Sequence, residues 1–206
     1  MTRLYAVSAA VLVCALMAGT AWFAYSSRSN DPYGDCRSGV VAGGAGSIGG
    51  PFALVDQSGT SVTDKQVFTK PALVYFGYSF CPDVCPVDNS RNAEAVDILE
   101  EQGFDVTPVF ITVDPGRDTP EVLADYAANL HPRMIALSGT EAQTKAAADA
   151  YRVYAKLPAD VSGDYAVDHS TFTYLVLPEK GFVEFFRREV TADQIATKVG
   201  CFLAKG

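Results

Sequence analysis

Cys81 and Cys85 lie in the run Tyr78-Ser79-Phe80-Cys81-Pro82-Asp83-Val84-Cys85-Pro86. Residues four apart share one face of an α-helix, so both sulfurs can meet at one point. The run follows a strongly apolar stretch and precedes a helical pattern, which puts the pair at a helix N-terminus. That end of a helix stabilises thiolate, the form of cysteine that attacks disulfides and binds metals. Two thiolates suit a soft ion such as Cu(I). The plainer use of the pair is a structural disulfide. A strand-to-helix turn is a poor place for one, because dipole and exposure keep sulfur reactive there. A third ligand is available in His169, which follows Asp168 and precedes a strand pattern. An imidazole there would complete a set of two sulfurs and one nitrogen. Asp168 is a candidate to orient that imidazole from behind.

The elements that must position these residues are legible. Ala72 to Gly77 (Ala-Leu-Val-Tyr-Phe-Gly) is a continuous apolar run, as expected of a central strand buried on both faces. Val84 to Glu101 has helical spacing, with Val84, Val87, Ala95, Ile98 and Leu99 as candidate core. Phe52 to Val55 and Ser61 to Thr63 flank a turn, and Thr107 to Val113 and Met134 to Leu137 read as strands. Thr119-Pro120-Glu121 opens a helix with a cap, an N1 proline and an acid suited to the dipole. An Ala-rich helix is expected from Thr140 to about Tyr154. Thr171 to Leu177 and Phe182 to Phe186 form a hairpin around Pro178-Glu179-Lys180-Gly181, and Thr191 to Leu203 is the last helix. The order is a βαβ half, a further α/β unit, then a hairpin and a helix. That is an α/β class domain with a central mixed β-sheet flanked by helices, of thioredoxin-like type. In such a sheet, the start of the strand after His169 lies beside the first helix's N-terminus.

Ahead of the domain, Leu4 to Ser27 carries no charge. Its length of about 24 residues exceeds the ~20 that an α-helix needs to cross hydrocarbon. Trp22, Phe23 and Tyr25 sit near its outer end, as at a membrane interface. Residues 1–28 therefore read as a transmembrane anchor, with the remainder outside the cytoplasm. A signal peptide cut near Gly19-Thr20-Ala21 is the competing reading, and it exports the domain equally. Cys14 reads as an apolar residue within the span. Residues 29–50 hold Gly39, Gly43, Gly44, Gly46, Gly49 and Gly50 and read as a flexible tether. The domain is expected to occupy 51–206.

The whole chain has 206 residues and a net charge of −8, and its soluble part is more acidic still, since Arg3 and Arg28 precede it. Such a surface excludes nucleic acid as partner. Hydrophobic residues make up 49% and charged residues 19%, which suits a packed core. Cys36 and Cys201 remain, and outside the cytoplasm pairing them is the natural use. The bridge would close a loop of roughly 165 residues, worth about 5 kcal/mol by chain entropy. Asp114 and Arg117, at a strand end, either shape a docking rim or simply hold a turn. His131, before Pro132, reads as a helix-end residue without a ligand role.

Three segments in this order resemble the Sco/SenC family of copper-handling proteins: Phe80 to Pro86, Thr112-Val113-Asp114-Pro115-Gly116-Arg117-Asp118-Thr119-Pro120, and Val167-Asp168-His169-Ser170-Thr171. The resemblance covers about Phe52 to Phe202. It implies a membrane-anchored, thioredoxin-like domain facing the periplasm or an equivalent compartment. It implies Cu(I) or Cu(II) held by Cys81, Cys85 and His169. It also implies a role in assembling the dinuclear copper centre of cytochrome c oxidase, with that centre's subunit and a copper donor chaperone as partners. Delivery by a non-enzymatic metallochaperone and thiol-disulfide chemistry by Cys81 and Cys85 on the target's cysteines both fit.

Overall fold

The computed structural model describes residues 2–29, 32–37, 45–161 and 163–205. Gly39, Gly43 and Gly44 of the expected tether lie outside the described residues. The first element is α1 (Thr2–Ser29), a helix of 28 residues covering the uncharged run. Val11, Leu12, Leu16, Met17, Trp22 and Phe23 on it are exposed. Among the described residues no helix is long and apolar enough to cross a membrane; the side chains of α1 belong to that set only in part.

The domain is built on a seven-stranded mixed sheet. Its strands are β1 (Ala53–Asp56), β2 (Ser61–Thr63), β3 (Ala72–Gly77), β4 (Thr107–Thr112), β5 (Ile135–Ser138), β8 (Thr173–Leu177) and β9 (Gly181–Phe186), in the spatial order β2-β1-β5-β4-β3-β8-β9. A separate two-residue ladder pairs β6 (Ala155–Lys156) with β7 (Asp168–His169). The helices are α2 (Asp64–Val67), α3 (Val84–Glu101), α4 (Pro120–Leu130), α5 (Glu141–Ala150) and α6 (Ala192–Leu203). β3 is parallel to β4 and antiparallel to β8, and all six of its residues are buried. Its apolar run is therefore explained by two covered faces. One core contains Phe76, Phe110, Tyr151 and Tyr174, and the other contains Leu99, Leu175, Ile195 and Phe202.

The caps expected at Thr119 and Thr140 are present, and Thr191 supplies another. Thr119 accepts from the Val122 N–H at the head of α4, and Thr140 and Thr191 form capping boxes with Gln143 and Gln194. A third box, Thr63 with Gln66, opens the short α2, which hydrophobic periodicity does not reveal. Two expectations are corrected. Helix α5 stops at Ala150 rather than Tyr154, because Arg152 turns left-handed at φ 56° and releases the chain into β6. Val87, expected in the core, is 59% exposed, while Ala95 and Leu99 of the same helix are fully buried.

Cys36 and Cys201 are joined by a disulfide, with Cα atoms 5.7 Å apart. Tyr33 and Cys36 are both buried, and the Tyr33 ring packs on Phe202 with centroids 5.2 Å apart. The segment read as a tether therefore carries a docked turn.

Candidate metal centre

The C-terminal ends of β3 and β4 lie side by side, with Gly77 opposite Thr112. Both strands run on into turns, which is where α/β sheets build their sites. The turn after β3 carries Cys81 and leads into α3, whose second residue is Cys85. The Cys85 N–H points at the Cys81 sulfur, 3.4 Å away. Cys85 Sγ lies 3.3 Å from His169 Nε2. The two sulfurs and one ring nitrogen of Cys81, Cys85 and His169 all lie within 4.8 Å of one another. The sequence places these three residues at distances of 4 and 84 positions, and the fold closes both gaps.

The ring of His169 is oriented from three sides. Its Nδ1 lies 2.9 Å from the carbonyl oxygen of Ser170. A carbonyl only accepts, so Nδ1 carries the hydrogen and Nε2 presents its lone pair to the sulfurs. Tyr75 and Tyr78 meet the ring edge-on, at centroid distances of 6.2 and 5.8 Å. The backbone of His169 pairs with Ala155 across the β6–β7 ladder, and Ser170 closes it by donating its N–H to Tyr154 and accepting the Tyr154 N–H on Oγ. Asp168 does not have the orienting place expected for it. Its side chain is exposed, and the Nδ1–H is taken by Ser170.

The two thiols are made unequal by their surroundings. Burial pushes the Cys81 thiol up, but the backbone N–H groups of Asp83, Cys85 and Val84 and the Cys85 side chain outweigh it, and the net shift is downward. Burial pushes the Cys85 thiol well above the ordinary range, and the Cys81 sulfur beside it adds to the rise. Burial also lowers His169 and so favours the neutral imidazole, although the Ser170 carbonyl pulls the other way. The site thus offers one sulfur that ionises readily, one that gives up its proton only to something that binds it, and one ring nitrogen free to donate. Those are the properties of a soft-metal site and equally of an attacking and resolving thiol pair.

Glycine at position 77 is required by this packing. A Cβ there would stand 2.9 Å from both Cys85 Sγ and Tyr75 Cε1. Asp118 is the residue that sequence reading passed over, although it lies in the quoted segment Thr112 to Pro120. It is fully buried. It accepts hydrogen bonds from the Ser79 N–H and hydroxyl and from the Thr112 hydroxyl, tying the turn that carries Cys81 to the end of β4. Its signal is an acid directly before a helix cap, which local turn chemistry accounts for equally well. Asp114 and Arg117 are paired to each other. Arg117 also lies 3.5 Å over the centre of the Tyr165 ring, whose hydroxyl donates to Asp114. His131 is buried against Asp97 and accepts the Arg133 N–H, and it is not one of the three clustered ligands. A cavity of 730 Å³ between Gly49, Phe68, Tyr151 and Phe182 is lined by none of the candidate ligands.

Fold and site together define a thioredoxin-like domain with a Cys-x-x-x-Cys pair facing a histidine. The chain belongs to the SCO1/SenC family, whose model matches residues 41–204. Protein SenC of Rhodobacter capsulatus is 51% identical over 176 residues, covering 85% of this chain and 79% of that protein. A mitochondrial SCO1 homolog of Arabidopsis thaliana is 42% identical over 164 residues, and the match spans 79% of this chain but only 49% of that protein. Among solved structures, copper-bound ScoI of Arabidopsis thaliana superposes with a TM-score of 0.74 at 39% identity, over 77% of this chain and 99% of that one. Copper-bound ScoI of Bradyrhizobium japonicum gives 0.67 at 39% identity, over 74% and 98%.

Proposed function

We propose that this protein binds copper through Cys81, Cys85 and His169 and passes it to the dinuclear copper centre of cytochrome c oxidase during assembly. The observation that carries the reading is the convergence of the three donor atoms within 4.8 Å. Membership of a family with copper-bound relatives supports copper as the cargo. Thiolates favour Cu(I), while the neutral imidazole matters more for Cu(II). The partners are the copper-centre subunit and a copper donor chaperone.

In this reading α1 anchors the protein in the cell membrane as a single pass, with the domain on the periplasmic or equivalent side. The uncharged run Leu4 to Ser27 and the exposed apolar side chains of α1 support it. The Cys36–Cys201 disulfide is an independent support, since such bonds persist outside the cytoplasm.

The unequal thiols favour a second reading, reduction of the target's own cysteines. Cys81 thiolate would attack a target disulfide, releasing one target thiol and forming a mixed disulfide. Cys85 would then displace the second target thiol, leaving a Cys81–Cys85 disulfide and two electrons on the target. Oxidase assembly in a Cys81→Ser strain separates the two. Rescue by added copper supports delivery; rescue by a small thiol reductant and not by copper transfers the function to redox chemistry.

A further inference from the structure

The disulfide lies at the opposite end of the domain from the metal centre. Helix α3 begins at the centre with Val84 and runs 18 residues to Glu101, a length of ~27 Å. Gly200, next to Cys201 in the last turn of α6, packs against Gln102 and Phe104, just past the end of α3. The sheet agrees. β8 runs antiparallel to β3 and β9 antiparallel to β8, so α6 starts near the centre's end of the sheet and finishes at the other. At that far pole the chain leaving α1 is fastened through its described residues 33–37 by contacts of several kinds. They include the disulfide, the Tyr33–Phe202 ring pair, a Lys205–Asp35 ion pair at 3.0 Å and the Arg37 guanidinium on the Val183 carbonyl at 2.6 Å.

The bridge therefore sets both the length and the position of the leash. From Ser29 to Tyr33 the chain can reach at most about 14 Å. Without the fastening, the next hold on the domain among the described residues is the Ser47 carbonyl, which accepts from Arg152 Nε at 3.4 Å, followed by the Gly49 N–H on the Ala150 carbonyl at 2.8 Å. Up to about 60 Å of chain would then separate Ser47 from Ser29.

We propose that the Cys36–Cys201 bridge fastens the domain to its anchor at the pole opposite Cys81, Cys85 and His169. The metal centre then faces away from the bilayer. It serves a membrane-held partner whose soft sulfur and nitrogen ligands sit in a domain standing clear of the lipid surface. A partner with its ligands at the headgroups is out of reach. This rests on the reading of α1 as an anchor.

The test uses the full chain in phosphatidylcholine vesicles with acceptor-labelled headgroups. A donor dye is attached through an azidophenylalanine at Phe80, beside the centre, or at Gln102, at the far pole. Both positions are exposed. The expected result is strong energy transfer from position 102 and weak transfer from position 80. In a Cys36→Ser/Cys201→Ser chain that difference is lost. Because that chain has also lost a stabilising bond, a second variant keeps the disulfide and inserts a Gly-Ser stretch between Ser29 and Pro32; it too loses the difference. Equal transfer from both positions in the unaltered chain overturns the proposal, as does a difference that survives the insertion. Release of the unaltered chain from vesicles by alkaline carbonate overturns the anchor reading itself, and is seen before any transfer is measured.

Discussion

Cys85 Sγ stands 3.3 Å from His169 Nε2, although 84 positions separate them. The contact joins the first turn of α3 to a ladder only two residues long. His169 is thus carried on an element separate from the turn and helix that carry the two sulfurs. Its removal is expected to leave the sulfurs in place. In a His169→Ala protein, Cu(II) affinity should fall by at least tenfold, while Cys81 and Cys85 react with a thiol reagent as before. Competition titration and thiol counting read the two effects separately, and unchanged Cu(II) affinity would remove His169 from the ligand set.

The pH dependence of thiol alkylation follows from the unequal thiols. Cys81 lies below the ordinary thiol range and Cys85 well above it. Thiolate is the reactive form, so as pH rises Cys81 ionises first and is modified at a pH where Cys85 is still protonated. Peptide mapping after brief iodoacetamide treatment at a series of pH values shows the order. Equal labelling of both, or Cys85 ahead, would contradict the assignment.

Gly77→Ala places a methyl against Cys85 Sγ and Tyr75 in a fully buried strand. Overpacking of this kind costs about 1–3 kcal/mol. Because one of the crowded atoms is a proposed ligand, copper affinity should fall together with stability. Denaturant unfolding and copper titration of the same preparation check both.

Asp118→Ala strips three donors on Ser79 and Thr112 of their acceptor. A buried donor left unpaired costs about 1–3 kcal/mol. The variant should melt earlier, and the Cys81 turn should become more open to amide exchange while the far end of α3 does not. Hydrogen exchange resolved by peptide distinguishes this local loosening from a general loss of stability.

Much of this was legible in the sequence, for identifiable reasons. Ala72 to Gly77 and Val84 to Glu101 are observed with the expected bounds, because continuous burial and helical spacing leave little freedom there. The threonine caps at 119 and 140 are local chemistry and were readable as such. What escaped depends on contacts between distant segments. Asp118 reads as a turn residue until Ser79 is seen to bond it. The role expected of Asp168 belongs to the Ser170 carbonyl, a backbone group that carries no sequence signal. Tyr33 sits among polar residues, and its burial reflects packing on a distant helix, with Phe202 beside it. Val87 is exposed because the helical face that buries Ala95 and Leu99 does not extend to its position.

Copper titration of the purified protein, with reductant for Cu(I) and without it for Cu(II), bears most directly on the central claim. One copper per chain is expected, with binding lost on Cys81→Ser or Cys85→Ser. Failure to bind stoichiometric copper in either condition would contradict it.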